Sequence, residues 1–205
     1  GVFITFEGAD GCGKPTQIKY TDNSKVLMCT NPDCTAKKLA QFTHFVSRKC
    51  MNIDGLSERT LELLISTKLI KNFRDIYHLS EHRDKLVKLD GMGKKSVENL
   101  LNSVENSRNV KLENFIAALG IDGVGLSAAK TISKYFNGSF TEFNNAFLNR
   151  FDFTKLDDIG ETTANSIDIY MTNHSEEVYA LANEMNFIVE ETKSYGINLN
   201  GKSFC

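Results

Sequence analysis

One pattern recurs four times along the chain and limits what it can fold into. An apolar residue, an aspartate, a turn residue, a second apolar residue and a small residue come just before a helix-forming stretch. The copies are Ile53-Asp-Gly-Leu-Ser57, Leu89-Asp-Gly-Met-Gly93, Ile121-Asp-Gly-Val-Gly125 and Leu156-Asp-Asp-Ile-Gly160. Aligned on Asp54, Asp90, Asp122 and Asp157, they lie 36, 32 and 35 residues apart. A period of that length marks a repeated supersecondary unit, and four copies in tandem carry far more weight than a single match.

The second copy is the fullest. Leu86 and Leu89 are expected to face inward before the turn, and Val97, Leu100, Leu101 and Val104 recur at i, i+3, i+4 and i+7 after it, one stripe of an amphipathic helix. Each copy therefore reads as a short helix, a tight turn and a second helix. Glycine in such a turn lets the backbone double back and lets an anion approach the amides that open the second helix, where the helix dipole favours negative charge. The candidate phosphate-contacting residues are Gly55, Ser57 and Arg59 in the first hairpin and Gly91, Gly93, Lys94 and Lys95 in the second. Gly123, Gly125 and Lys130 are the candidates in the third, and Gly160 in the fourth. Two copies depart from the pattern: Ser57 stands in place of the second glycine, and Asp158 in place of the first. An acidic side chain repels a phosphate, so the fourth hairpin is expected to be structural. Gly93 is expected to be intolerant of a β-branched residue if its φ is positive.

The net charge of −2 argues by itself against a strongly basic nucleic-acid binder. Its distribution argues otherwise. Residues 35–112 hold 15 Lys and Arg against 9 Asp and Glu, while residues from 113 onward hold 6 against 13. Counterion release follows local charge, so phosphate affinity belongs to the basic half and its two hairpins. No apolar run approaches the roughly 20 residues of a membrane span, and no signal segment opens the sequence, which points to the cytoplasm. Five cysteines, an odd number without a secretion signal, make disulfides unexpected.

The first 34 residues admit two readings. Gly8-x4-Gly13-Lys14 follows a β-rich run and resembles the P-loop opening of thymidylate kinases. Pro15, however, stands where a Ser or Thr hydroxyl would hold magnesium, and no alternation of strands and helices follows. The other reading is a small zinc-ribbon-like module in which Cys12, Cys29 and Cys34 supply three thiolates. Position 9, where a fourth cysteine would complete the knuckle, is alanine; Asp10 or His44 are the alternatives for a fourth ligand.

From Cys29-Thr-Asn-Pro-Asp-Cys34 into His44-Phe-Val-Ser-Arg-Lys-Cys-Met-Asn-Ile-Asp-Gly-Leu56, the chain resembles the bacterial NAD-dependent DNA ligases, in which a zinc finger leads into tandem helix-hairpin-helix motifs. The resemblance covers about residues 12–205 and leaves residues 1–11 unmatched. It implies a mainly α fold: residues 1–34 as a zinc-finger-like module with an atypical start, 35–196 as a DNA-binding domain of four tandem helix-hairpin-helix motifs, and 197–205 as the start of a BRCT-like module. It also implies that the hairpin residues named above contact double-stranded, nicked DNA through phosphates. NAD and the nucleophilic lysine would belong to an adenylation domain outside these residues, so the piece is not expected to seal nicks alone. Two rivals stay open, a P-loop nucleotide kinase and a helical scaffold for protein partners.

Other side chains have plainer readings. Cys50 is expected to be a buried, inert thiol. His44 is read as packing beside Phe42 and Phe45 or touching DNA, and Phe115, Phe136, Phe140, Phe143 and Phe147 are read as core. Ser175 is expected to cap a helix carrying Val178, Leu181, Ala182 and Met185 on one face.

Overall fold

A computed structural model describes residues 34–189, which form two compact units. The first comprises 34–107 with 118–120, the second 108–117 with 121–189. The β-rich module expected before residue 34, with Cys12, Cys29 and the Gly8–Lys14 loop, lies outside the described residues. So does the BRCT-like segment at 197–205.

The first unit is helical. α1 (Thr35–Val46) buries Phe42, Phe45 and Val46 at i, i+3 and i+4 and packs on α2 (Glu58–Ser66), which buries Leu61 and Leu64. Ser57 caps α2, its side chain accepting from the Thr60 amide at 3.2 Å. A 3₁₀ helix over Phe73–His82 opens with a capping box between Asn72 and Asp75, then leads into the single turn of α3 (Arg83–Leu86). α4 (Lys94–Ser107) buries Val97, Leu100 and Val104, whereas Leu101, expected on the same stripe, is half-buried. Phe73, which opens the 3₁₀ helix, packs on α1, stacked on Phe45 with ring centroids 4.3 Å apart and edge-on to Phe42. At the end of α4, the buried Ser107 hydroxyl donates to the Val104 carbonyl at 2.7 Å and lies 3.3 Å from the Tyr77 hydroxyl, so neither polar group is stranded.

The second unit is built on phenylalanine. β1 (Asn109–Val110) pairs in parallel with β2 (Asn186–Phe187), Asn109 opposite Asn186 and Val110 opposite Phe187. Between them run α5 (Leu112–Ala118, whose last residue belongs to the first unit), α6 (Leu126–Tyr135), α7 (Phe140–Leu148), a 3₁₀ turn over Phe153–Lys155, and α8 (Glu161–Ala182). Phe115 meets Phe140 and Phe187 edge-on, and Phe140 stacks on Phe187 at 5.4 Å. A second group joins Phe136, Phe143, Phe151 and Phe153, with centroids 5.3–6.4 Å apart. Phe115, Phe136, Phe140 and Phe143 are core as expected; Phe147 is only half-buried, on the rim of α7.

Ser175 does not start a helix. α8 runs unbroken for 22 residues through it, because Ala164, Ile167, Met171, Val178 and Leu181 keep one buried stripe on both sides of that serine. Continuous burial outweighs the weak local preference of serine for a cap. Met185 is buried but lies beyond the helix end.

An ion pair closes the two-stranded element. Arg108 donates to the Glu184 carboxylate at 2.8 Å and to the Glu184 carbonyl at 3.1 Å, with the two side chains only 20% and 15% exposed. Arg108→Ala removes the guanidinium from beside a largely buried carboxylate and is expected to cost about 2–3 kcal/mol in urea unfolding. Arg59→Ala, which breaks a fully solvated pair, is expected to cost less than about 1 kcal/mol. Equal losses of stability in the two variants would contradict this contrast.

Candidate nucleic-acid interface

The four turns share one backbone solution. Their first turn residue is left-handed in every case: φ is +91° at Gly55, +77° at Gly91, +75° at Gly123 and +63° at Asp158. The residue after it points inward, and Leu56, Met92, Val124 and Ile159 are all buried. The next residue then opens the helix from ordinary extended backbone, with φ of −64° at Ser57, −84° at Gly125 and −80° at Gly160. Gly93 likewise lies outside the left-handed region, and its carbonyl accepts the first bond of α4, from the Val97 amide at 3.0 Å. A buried apolar plug thus fixes each turn from within while the segment around it stays exposed.

The two glycines of each turn have different causes. At the first position the demand is conformational, and at Gly55 and Gly123 also steric. A Cβ at Gly55 would lie 3.4 Å from Leu100, and one at Gly123 would lie 3.2 Å from the Thr163 hydroxyl. At the second position neither demand applies. A Cβ on Gly93, Gly125 or Gly160 would meet nothing within 4 Å and would stand in the open space before a helix N-terminus. The condition attached to Gly93, a positive φ, is therefore not met; that strain belongs to Gly91.

Charge separates the turns. Glu58, Glu113, Glu142 and Glu161 occupy the first turns of α2, α5, α7 and α8, where an acid complements the helix dipole. α4 starts instead with Lys94 and Lys95, both exposed, and has no acid in its first turn. Two cations at a helix N-terminus oppose the dipole at about 0.3–1 kcal/mol each. Arg59, the second residue of α2, donates from Nη2 to Asp90 at 2.5 Å, reaching from the first hairpin to the turn of the second. Lys130 is exposed on α6, and Gly160 is flanked by the exposed Asp158 and Glu161. By unit, the described residues carry 13 basic against 9 acidic side chains in the first and 6 against 11 in the second.

Two interactions have no counterpart in the sequence pattern as read. The Asp54 amide donates to the Ser103 hydroxyl at 2.7 Å, seating the first turn on α4, and Asp90 engages Arg59. The first is made by a backbone amide that any residue but proline would supply, and the second pairs side chains 31 residues apart, so no local signal points to either.

The remaining candidates sit apart from the turns. Burial pushes the Cys50 thiol up from its ordinary value, against a smaller opposing effect of a Ser47 hydrogen bond, so at neutral pH it is a protonated, weakly reactive group. His44 is exposed, with Nε2 3.6 Å from the Cys50 sulfur. Cys34 is half-buried just before α1. Among the described residues no three His, Cys, Asp or Glu side chains cluster as metal ligands. Nor is any described helix long and apolar enough to cross a membrane.

Residues 48–106, the first two hairpins, match the family model of the SAM-like helix-hairpin-helix tandem. The wider chain is 40% identical over 195 residues to a DNA ligase of Lachnoclostridium phytofermentans, covering 94% of this chain and 30% of that protein. It is 42% identical over 184 residues to a DNA ligase of Listeria innocua, and 36% identical over 174 residues to one of Bacillus subtilis, covering 90% and 85% of this chain and 25% of each relative. The chain is thus similar to one segment of these DNA ligases. It spans between a quarter and a third of the length of those relatives.

The two glycines of the second turn can be told apart by experiment. Gly91→Val forces a β-branched residue into left-handed backbone and is expected to destabilise the protein by about 2 kcal/mol or more in urea unfolding. Gly93→Val meets no internal atom and is expected to cost no more than about 1 kcal/mol. A larger destabilisation at residue 93 than at residue 91 would contradict the turn geometry.

Proposed function

We propose that this segment binds duplex DNA without sequence preference, through phosphate contacts at its helix-hairpin-helix turns. In this reading it is the DNA-binding part of an NAD-dependent DNA ligase that seals nicks in replication and repair. The observation that carries the reading is the start of α4. There a glycine required by neither backbone nor packing leaves the helix N-terminus open, and two lysines occupy positions where they oppose the helix dipole. Lysines that oppose the dipole weaken the fold locally and gain nothing inside it, which marks a place selected for a ligand, and the ligand that suits amides, a helix N-terminus and two ammonium groups is an anion. Kinship with the DNA ligases supports identifying that anion as a DNA phosphate.

The same physics ranks the hairpins. The second is the principal clamp. The third keeps both glycines and adds Lys130, but its unit is acidic, so it supports. The fourth, with Asp158 and Glu161 beside Gly160, holds the fold together and contributes little to binding. Contacts to phosphate fix position without reading bases, which suits an enzyme that must act at nicks in any sequence.

The test is a titration of nicked duplex at several salt concentrations. Lys94→Ala with Lys95→Ala is expected to leave the circular dichroism unchanged, to weaken binding, and to lower the salt slope by about 0.9 for each phosphate no longer neutralised. Unchanged affinity and slope in the double variant, with both altered by a change at Asp158, would overturn the ranking and move the clamp to the fourth hairpin.

A further inference from the structure

The Arg59–Asp90 pair does little for stability, since its side chains are 75% and 78% exposed and such pairs contribute little in water. Its geometry is more informative. Arg59 is the second residue of α2 in the first hairpin, and Asp90 immediately precedes the left-handed Gly91 of the second. The pairing carries the guanidinium out of its own hairpin to the edge of the turn that Lys94 and Lys95 follow. It is made by Nη2, and a guanidinium carries five N–H donors, so donors remain to meet a phosphate while the carboxylate fixes the group. Arginine is rich in rotamers, and ordering it on binding costs affinity unless it is held beforehand.

Resting on the proposed phosphate clamp, we infer that Asp90 is a positioning residue: it holds Arg59 across the two hairpins so that both present their cations to DNA as one surface. The opposing effect is repulsion of the phosphate by the Asp90 carboxylate. That repulsion is screened by solvent and salt at a site this exposed and is offset by the Arg59 charge beside it, so prior ordering of the arginine outweighs it.

The two effects predict opposite signs. Removing an acid near DNA ordinarily tightens binding. If Asp90 positions Arg59, Asp90→Asn weakens the binding of nicked duplex by the full chain by about two- to tenfold and lowers the salt slope by about 0.9, because Arg59 no longer reaches its phosphate. The same change in an Arg59→Ala background is then without effect, and Asp90→Glu, which keeps the carboxylate, restores most of the affinity. Circular dichroism confirms that each variant is folded; the substitution is isosteric and on the surface. Unchanged or tighter binding by Asp90→Asn overturns the inference, as does equal weakening with and without Arg59. The clamp itself is judged separately: if Lys94→Ala with Lys95→Ala still weakens binding, the interface stands and only the role of Asp90 falls. If neither that variant nor Arg59→Ala changes binding, the interface falls and the role of Asp90 with it.

Discussion

Everything exposed at the four turns depends on one internal constraint, a left-handed residue followed by a buried apolar side chain. The left-handed residue reverses the chain, and Leu56, Met92, Val124 or Ile159 then anchors it to the core. With the turn pinned from inside, the start of the next helix is held at the surface without any help from the residues facing solvent. Those residues are free to vary, and they do: serine, glycine, glycine and glycine open the four helices, followed by Glu58, Lys94, Leu126 and Glu161. One backbone device thus serves turns of different charge. The fourth shows its tolerance, since Asp158 adopts the left-handed conformation that glycine takes elsewhere, aspartate being among the residues that enter this region at lowest cost.

How much of this is legible in the sequence follows from the range of each interaction. The repeats, their helices and the phenylalanine-rich second half are readable because periodicity and local turn chemistry are encoded within a few residues. The different duties of Gly91 and Gly93 are not, because both are glycine and only the folded backbone says which carries positive φ. Ser175 misleads for the opposite reason. Its local preference is real, but the buried stripe from Ala164 to Leu181 is a tertiary effect that overrides it. Phe147 shows that an aromatic in a rich cluster can still fall on its rim. Asp90 reaches Arg59 across 31 residues of sequence, a distance over which no local rule pairs side chains.

The charge pattern gains its meaning from the fold in the same way. A chain of net charge −2 looks unpromising as a DNA binder until its charges are placed in two compact units of opposite sign. Within the basic unit, the lysines at the start of α4 lie at the end of a helix where they are least favourable to folding. An exposed glycine before them removes the one side chain that would shield the helix N-terminus. The lysines conflict with stability, and in the proposed reading they and the open glycine together prepare this end of the helix for an anion. The second unit, with its phenylalanine core and its half-buried Arg108–Glu184 pair, favours cohesion instead.

Whether DNA phosphates are met at the turns, and chiefly at the second, is tested most directly by following backbone amide resonances of isotope-labelled protein as nicked duplex is added. The largest shifts are expected at the amides of Gly93, Lys94, Lys95 and Ser96, smaller ones at Gly125 and Leu126, and little change at Gly160 and Glu161. Shifts concentrated on the α8 amides of residues with exposed apolar side chains, Ile169 and Tyr179, with the amides of the second turn unmoved, would contradict a phosphate clamp at that turn.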